Sequence, residues 1–205
     1  MTQASSLAKF LRPVIRSEQV LAAIASVPRD RFVPTGERDH AYDNVALPIA
    51  CGQTISQPLV VARMLELLEL EKGDRVLDVG TGSGYHAALL ARLTAQVWTI
   101  ERHAELSAEA ELVIRGLGID NVAFVVGDGS LGLPERAPFD AINVAAATGA
   151  GVPARLSDQL APGGRLVAPV GVERQYLTLV RRTGDRLETT ALEPVRFVPL
   201  IADER

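Results

Sequence analysis

The sequence predicts an α/β fold: a doubly wound, mostly parallel sheet that ends in an antiparallel element and is preceded by N-terminal helices. Three observations predict it. Five short apolar runs, RVLDVG (75–80), QVWTIE (96–101), NVAFVVGD (121–128), FDAINVAAA (139–147) and RLVAPVG (165–171), alternate with helical segments at 84–94, 103–117 and 152–160. The runs are apolar at successive positions, as a strand covered on both faces requires, and intervening helices make the crossovers of a parallel sheet. Beyond residue 171 the pattern changes. QYLTLVRR (175–182), the turn residues TGDR and VRFVPLI (195–201) read as strands joined by a turn, with no helix long enough for a parallel crossover.

In chain order, Leu7, Phe10, Leu11 and Val14 mark one side of an amphipathic surface helix within residues 1–16. That segment lacks the long apolar stretch and small-residue cleavage site of a signal peptide. Residues 17–27 form a helix with Ser17 as N-cap and Val20, Leu21, Ile24 and Val27 facing inward, and it stops at Pro28. A loop rich in Pro, Gly and charge runs to about residue 55. SQPLVVARMLELLEL then reads as a strong amphipathic helix, entered through Ser56 and Pro58 and left at Gly73. No repeat, linker or composition break divides the chain. The expectation is a single domain, 1–205, in which 1–55 form an N-terminal helical and loop region and 56–205 the α/β core.

Composition narrows the function. Of 205 residues, 47% are apolar and 22% charged, enough to bury a core without staples. One cysteine forms no internal disulfide, and one Cys with three scattered His gives no metal-ligand spacing. Twenty-one basic against 25 acidic residues, a net charge of −4, disfavours a nucleic-acid partner. No apolar run approaches the roughly 20 residues that span a bilayer. The expected location is the cytoplasm.

The most informative motif is Asp78-Val79-Gly80-Thr81-Gly82-Ser83-Gly84, which leaves the first strand of the core and opens a helix. Its glycines let backbone approach a ligand closely, and the helix start offers free N–H groups. The dinucleotide pattern G-x-G-x-x-G needs glycine at position 85, which is Tyr85; here the spacing is G-x-G-x-G. Asp78 would also repel a pyrophosphate and welcome a cationic cofactor such as S-adenosylmethionine. Glu101 ends the second strand of the core, where a carboxylate takes both ribose hydroxyls. Asp128-Gly129 ends the third, placed to accept from an adenine amino group. Each acid alone also reads as a solvated loop or capping residue. Three in register at the carboxyl ends of neighbouring strands favour the ligand.

These residues resemble the protein-L-isoaspartate (D-aspartate) O-methyltransferases, from about residue 17 to residue 201. The segments that carry the resemblance are PRDRFVP (28–34), AYDNVALPIACGQTISQP (41–58), VLDVGTGSGYHAALLA (76–91), GDGSLGLPERAPFDAI (127–142), LAPGGRLVAPVG (160–171) and PVRFVPL (194–200). GQTISQP and VRFVPL are more specific than the glycine loop, which marks methyltransferases in general. The resemblance implies a Rossmann-like methyltransferase sheet and transfer of a methyl from S-adenosyl-L-methionine to the α-carboxyl of L-isoaspartyl (and D-aspartyl) residues. S-adenosyl-L-homocysteine is the product, and the ester closes to a succinimide that returns some aspartate. The implied partners are isoaspartyl proteins and peptides, with no nucleic acid, no membrane and a monomeric enzyme. Two other readings stand beside it: a relative that forms isoaspartate in a peptide natural product, and a non-catalytic cofactor-binding module.

Ser56 is the implied catalytic residue, and 50–53 are implied to line the cofactor. With the glycine loop, the cofactor set is Cys51, Gly52, Gln53, Thr54, Asp78, Gly80, Thr81, Gly82, Ser83, Gly84, Glu101, Arg102, Asp128 and Gly129, with no metal ligand. Ala46, Asp43-Asn44 and Ala50-Cys51 depart from the family's usual residues in the substrate loop and bear on peptide preference. The acceptor carboxylate is ionised at neutral pH and needs no general base, so Ser56 orients rather than attacks. Its competing reading is an N-cap for the helix that follows. Gln53 and Thr54 add donors, and Cys51 is a small residue without chemistry of its own. His86 reads as packing or surface, Trp98 as core, and Arg29 and Arg31 beside Phe32 as a surface edge, with attraction of acidic peptides as the alternative.

Overall fold

The structure, a computed structural model, describes residues 2–202. Helix α1 (Gln3–Leu11) is capped by Thr2, whose hydroxyl accepts from the Ser5 N–H at 3.2 Å, and α2 (Glu18–Ser26) by Ser17, which accepts from Val20 N–H at 3.4 Å. Val20, Leu21, Ile24 and Val27 are buried as expected. Leu7 and Leu11 are buried too, but Phe10 and Val14 are 61% and 55% exposed, so the inward stripe of α1 is narrower than the pattern suggested. Turns of 3-10 helix at Arg29–Phe32 and Thr35–His40 lead to a short hairpin of β1 (Leu47–Pro48) and β2 (Thr54–Ile55).

Helix α3 (Pro58–Leu67) corrects the capping expectation. Pro58 occupies its first turn, where a missing N–H costs nothing. The capping residue is Gln57, not Ser56, and among the described residues it makes no side-chain cap bond. The Asn44 side chain does that work from across the loop, its Oδ1 accepting from Leu59 N–H at 3.0 Å.

The core follows as β3 (Arg75–Val79), α4 (Tyr85–Leu93), β4 (Gln96–Glu101), α5 (Ala104–Gly116), β5 (Val122–Val126), β6 (Phe139–Val144), α6 (Ala154–Ser157), β7 (Leu160–Val170), β8 (Gln175–Thr183) and β9 (Arg186–Val195). Among the described residues the main sheet has seven strands in the order β5-β4-β3-β6-β7-β8-β9. Pairings are parallel from β5 through β7 and antiparallel at β7–β8 and β8–β9. The chain winds outward from β3 in one direction, then returns to lay β6 on its other side. A crevice opens at such a reversal, above the carboxyl end of β3.

Two expectations shift in the C-terminal third. The helix expected over 152–160 shrinks to α6, because Pro153 starts it late and residues from Leu160 onward join β7. The last strand is Arg186–Val195 rather than 195–201. Pro199 has no N–H to give a ladder, and the segment instead makes one parallel bridge, Pro199 with Ala147.

Alternate residues of each inner strand feed opposite faces of the sheet. Val76, Val97, Ala141 and Val167 join one apolar cluster; Leu77, Val79, Ile100, Ile142 and Val144 join the other. Leu7, Leu11, Ile15 and Ile24 lie in the first cluster with Leu65, Leu68, Leu89 and Leu90, so residues 1–55 share the core of the sheet. Burying each such leucine contributes on the order of 1.5–3 kcal/mol. Trp98 packs edge-on to Phe139 at 5.8 Å, and the Arg75 guanidinium covers its ring at 5.0 Å. Among the described residues no helix is long and apolar enough to cross a membrane, and no cluster of metal-ligating side chains occurs.

Candidate active site

The site is built on the turn between β3 and α4. Gly80 and Gly82 adopt φ of 90° and 50°, a left-handed backbone open to glycine at little steric cost. The Gly80 N–H donates to Ile100 O at 2.9 Å, which ties the turn to the end of β4. The Gly82 N–H donates to Glu101 Oε2 at 2.9 Å and the His103 N–H to Oε1 at 3.0 Å. Both oxygens are thereby oriented, and each keeps a lone pair for a further donor. Glu101 is only 7% exposed, so its carboxylate is presented without freedom to wander.

The cleft beside this turn is lined by ten of the expected residues: Gln53, Thr54, Ser56, Gly80, Thr81, Gly82, Ser83, Glu101, Arg102 and Gly129. Gly129 is required by closeness, since a Cβ there would sit 2.7 Å from Val79 Cγ1. Five expected residues are not among the lining. Asp78 is fully buried beneath the loop, its carboxylate accepting from Thr99 Oγ1 and Asn143 Nδ2, each at 2.8 Å. Burial pushes its carboxyl up to about 6, with Glu101 adding to the rise and the two hydrogen bonds opposing it. Its carboxylate braces the loop from beneath. Gly84 is a packing glycine: a Cβ there would lie 2.9 Å from Ala110 Cβ of α5. Asp128 accepts from Ser130 N–H at 2.8 Å and caps the 3-10 turn Gly129–Leu131. Cys51 is exposed, with its thiol 3.8 Å from Glu105 Oε2, and Gly52 forms the turn beside it.

Other residues join the cleft without having been expected there. Val198, Pro199, Leu200 and Ile201 form its far wall, held by Ala147 N–H donating to Val198 O and Leu200 N–H donating to Ala147 O, both at 2.8 Å. Tyr85 and His86, from the first turn of α4, also line it. Both side chains are buried, and neither the Tyr85 hydroxyl nor His86 Nε2 finds a hydrogen-bond partner among the described residues. Burial lowers His86 to about 4, so it is neutral at physiological pH. Only their place directly after G-x-G-x-G could have signalled them.

A second groove, lined by Gln57, Val60, Arg196 and Phe197, adjoins the cleft, and Thr54 and Ser56 border both. Ser56 therefore stands at the seam between the carboxylate-bearing cleft and this groove, with its hydroxyl not committed to capping α3.

The family model described as protein-L-isoaspartate(D-aspartate) O-methyltransferase matches residues 5–205. The chain belongs to this family. A protein-L-isoaspartate O-methyltransferase of Roseiflexus castenholzii is 56% identical over 193 residues, which cover 94% of this chain and 88% of that one. One of Shewanella baltica is 50% identical over 205 residues, covering 100% and 97% of the two chains. A crystal structure from Plasmodium falciparum, described as a protein-L-isoaspartate O-methyltransferase in complex with S-adenosyl-L-homocysteine, superposes with a TM-score of 0.86 at 26% identity. That superposition covers 99% of this chain and 100% of the other. The family match reaches back into α1, whose buried residues share the core of the sheet.

Proposed function

We propose that this family member transfers the methyl group of S-adenosyl-L-methionine to the α-carboxyl of L-isoaspartyl and D-aspartyl residues in damaged proteins and peptides, releasing S-adenosyl-L-homocysteine. The observation that carries the reading is the position of Ser56, which borders both the glycine-loop cleft and the groove beside it. The residues present fit the cofactor. Glu101, oriented by two backbone N–H groups, keeps lone pairs for a pair of hydroxyls. Gln53, Thr54, Gly80, Thr81, Gly82, Ser83, Arg102 and Gly129 would hold the rest, while Asp78, Gly84, Asp128, Cys51 and Gly52 support the wall at one remove. When bound, the cofactor supplies an electrophilic methyl on a sulfonium centre.

The chain's own task is positioning. The acceptor carboxylate has an ordinary pKa near 4 and is already an anion at neutral pH, so no side chain has to remove a proton. Ser56 donates its hydroxyl hydrogen to that carboxylate or to the adjoining peptide, with Thr54 and Gln53 beside it. Val60 and Phe197 give the groove an apolar wall against which the acceptor peptide can pack. Residues 1–55, which carry the substrate loop, and the α/β core 56–205 form a single domain, and its two sides meet at Gln53–Ser56. The enzyme works as a cytoplasmic monomer without a nucleic-acid partner.

The test offers cofactor labelled in its methyl group together with paired peptides that differ only in Asp or isoAsp at one position. Base-labile label confined to the isoAsp peptide is expected. Label on both peptides, or on neither, would overturn the assignment.

A further inference from the structure

We infer that Arg29 is a positioning residue for the acceptor side of the site, its buried guanidinium holding the 41–56 loop, and with it Ser56, in the conformation that methyl transfer needs. Sequence reading placed Arg29 on a surface edge; the structure buries it completely. Each of its three nitrogens donates to a main-chain carbonyl of one loop. Nε reaches Ala41 O at 2.7 Å, Nη2 reaches Val45 O at 3.3 Å and Nη1 reaches Ser56 O at 3.0 Å. The two limbs of the loop are thus closed on one planar fork, a task a single ammonium performs poorly.

The electrostatics set this arginine apart from an ordinary buried ion pair. Among the described residues no carboxylate forms an ion pair with Arg29. The neighbouring Asp30 instead accepts from the Tyr42 hydroxyl at 2.5 Å. The guanidinium carbon lies 5.3 Å from the centroid of the Tyr85 ring, itself part of the cleft wall. Burying a cation without a counter-ion is costly unless its donors are well used. An apolar side chain could fill the same space, but three loop carbonyls would then lose their donor. Burial lowers the guanidinium to about 10, which leaves it charged at neutral pH.

The hydrogen bonds are one-sided with respect to the cleft, although the guanidinium also lies over the Tyr85 ring of its wall. Arg29 reaches Ser56 but makes no hydrogen bond to the β3–α4 turn, Glu101 or Gly129. Disturbing it should therefore damage acceptor handling and spare cofactor binding. This inference rests on the proposed methyl transfer, and the native chain separates the two failures: no label on the isoAsp peptide from native protein sinks the function itself.

The experiment compares native protein, Arg29→Lys and Arg29→Gln, with Leu68→Ala as a core control chosen to lower Tm. For the Arg29 variants kcat/KM on an isoAsp peptide should fall roughly ten- to hundredfold, the scale of a small misplacement at a reacting centre. Calorimetric affinity for S-adenosyl-L-homocysteine should stay within about threefold, and the control should keep native kcat/KM. Arg29→Gln removes the buried charge and so guards against a variant that fails only through an unpaired ammonium. The inference is overturned if either folded Arg29 variant retains native kcat/KM. It is overturned equally if cofactor affinity falls in parallel, or if the control shows the same kinetic loss at the same Tm.

Discussion

Replacing Asp78 with Asn should stabilise the protein at neutral pH and lose that advantage in mild acid. Asp78 is fully buried, and its carboxyl is raised from an ordinary 3.8 to about 6. The folded state therefore holds this proton more tightly than the unfolded state. Below pH 3.8 the group is protonated in both and costs nothing. Between 3.8 and about 6 the unfolded chain ionises first, so native stability falls as pH rises. Above about 6 the full cost stands, roughly 3 kcal/mol. An Asn at 78 does not titrate. Its oxygen can accept from Asn143 Nδ2, and its amide can donate to Thr99 Oγ1, which then donates to Thr81 Oγ1, 2.6 Å away. Trading charge-assisted bonds for neutral ones adds an offset that does not depend on pH. The measured quantity is the difference in unfolding free energy between variant and native, from urea titrations at pH 4, 5, 6, 7 and 8. It should move in favour of Asn by about 2.4 kcal/mol between pH 4 and pH 8, because at pH 4 the unfolded carboxyl is already partly ionised. A difference flat within about 0.5 kcal/mol would refute the account of a buried, reluctantly ionised carboxylate.

His86 should act in the opposite sense over nearly the same window. Its pKa is lowered from 6.5 to about 4, so it contributes stability above 6.5 that is lost as pH falls toward 4; His86→Gln should flatten that acid limb, and an unchanged limb would count against it. Ser56→Ala should lower kcat/KM by about 1–3 kcal/mol, roughly 5- to 150-fold, with little loss of stability; normal turnover in a labelled-methyl assay would contradict the orienting role. The capping cost should appear instead in Asn44→Ala, about 1 kcal/mol by thermal or urea unfolding, and a silent Asn44→Ala would remove that cap from the account. Glu101→Ala should weaken S-adenosyl-L-homocysteine binding by on the order of 2–4 kcal/mol, and calorimetry with unchanged affinity would dismiss Glu101 as a ligand group.

What could be seen in the sequence follows from which signals are local. The parallel strands showed themselves because Val76-Leu77, Val97 and Ile142 must be apolar on both faces, and the glycine turn because G-x-G-x-G is a compact backbone requirement. Arg186–Val195 escaped because β9 is an edge strand whose residues are mostly exposed, so RLETTALE shows no buried alternation. VRFVPLI attracted attention for its apolar content, yet its proline keeps it out of the ladder. Ser56 and Asn44 exchanged capping roles because Asn44 acts across 15 residues, a tertiary contact invisible to spacing. Asp78 sits at the strand end where the sequence puts it. A strand-end carboxylate points to one face or the other, and here Thr99 and Asn143 draw it inward. Arg29 carried no local sign of burial, because its partners are carbonyls, and every residue has one.

The far wall of the cleft, Val198–Ile201, lies about a hundred residues downstream of Glu101 and closer to 150 beyond Gln53. A ligand touching all three draws its binding free energy only from chains in which the early loop, the middle of the sheet and the final segment are docked at once. Occupancy is therefore linked to the global unfolding equilibrium. At a hundredfold excess of ligand over Kd, mass action adds about 2.7 kcal/mol, shared by amides far from any contact. Ligand held against Val198–Ile201 should therefore make the hairpin of β8 and β9, which leads into that wall, slower to exchange its hydrogens than its exposed position alone would suggest.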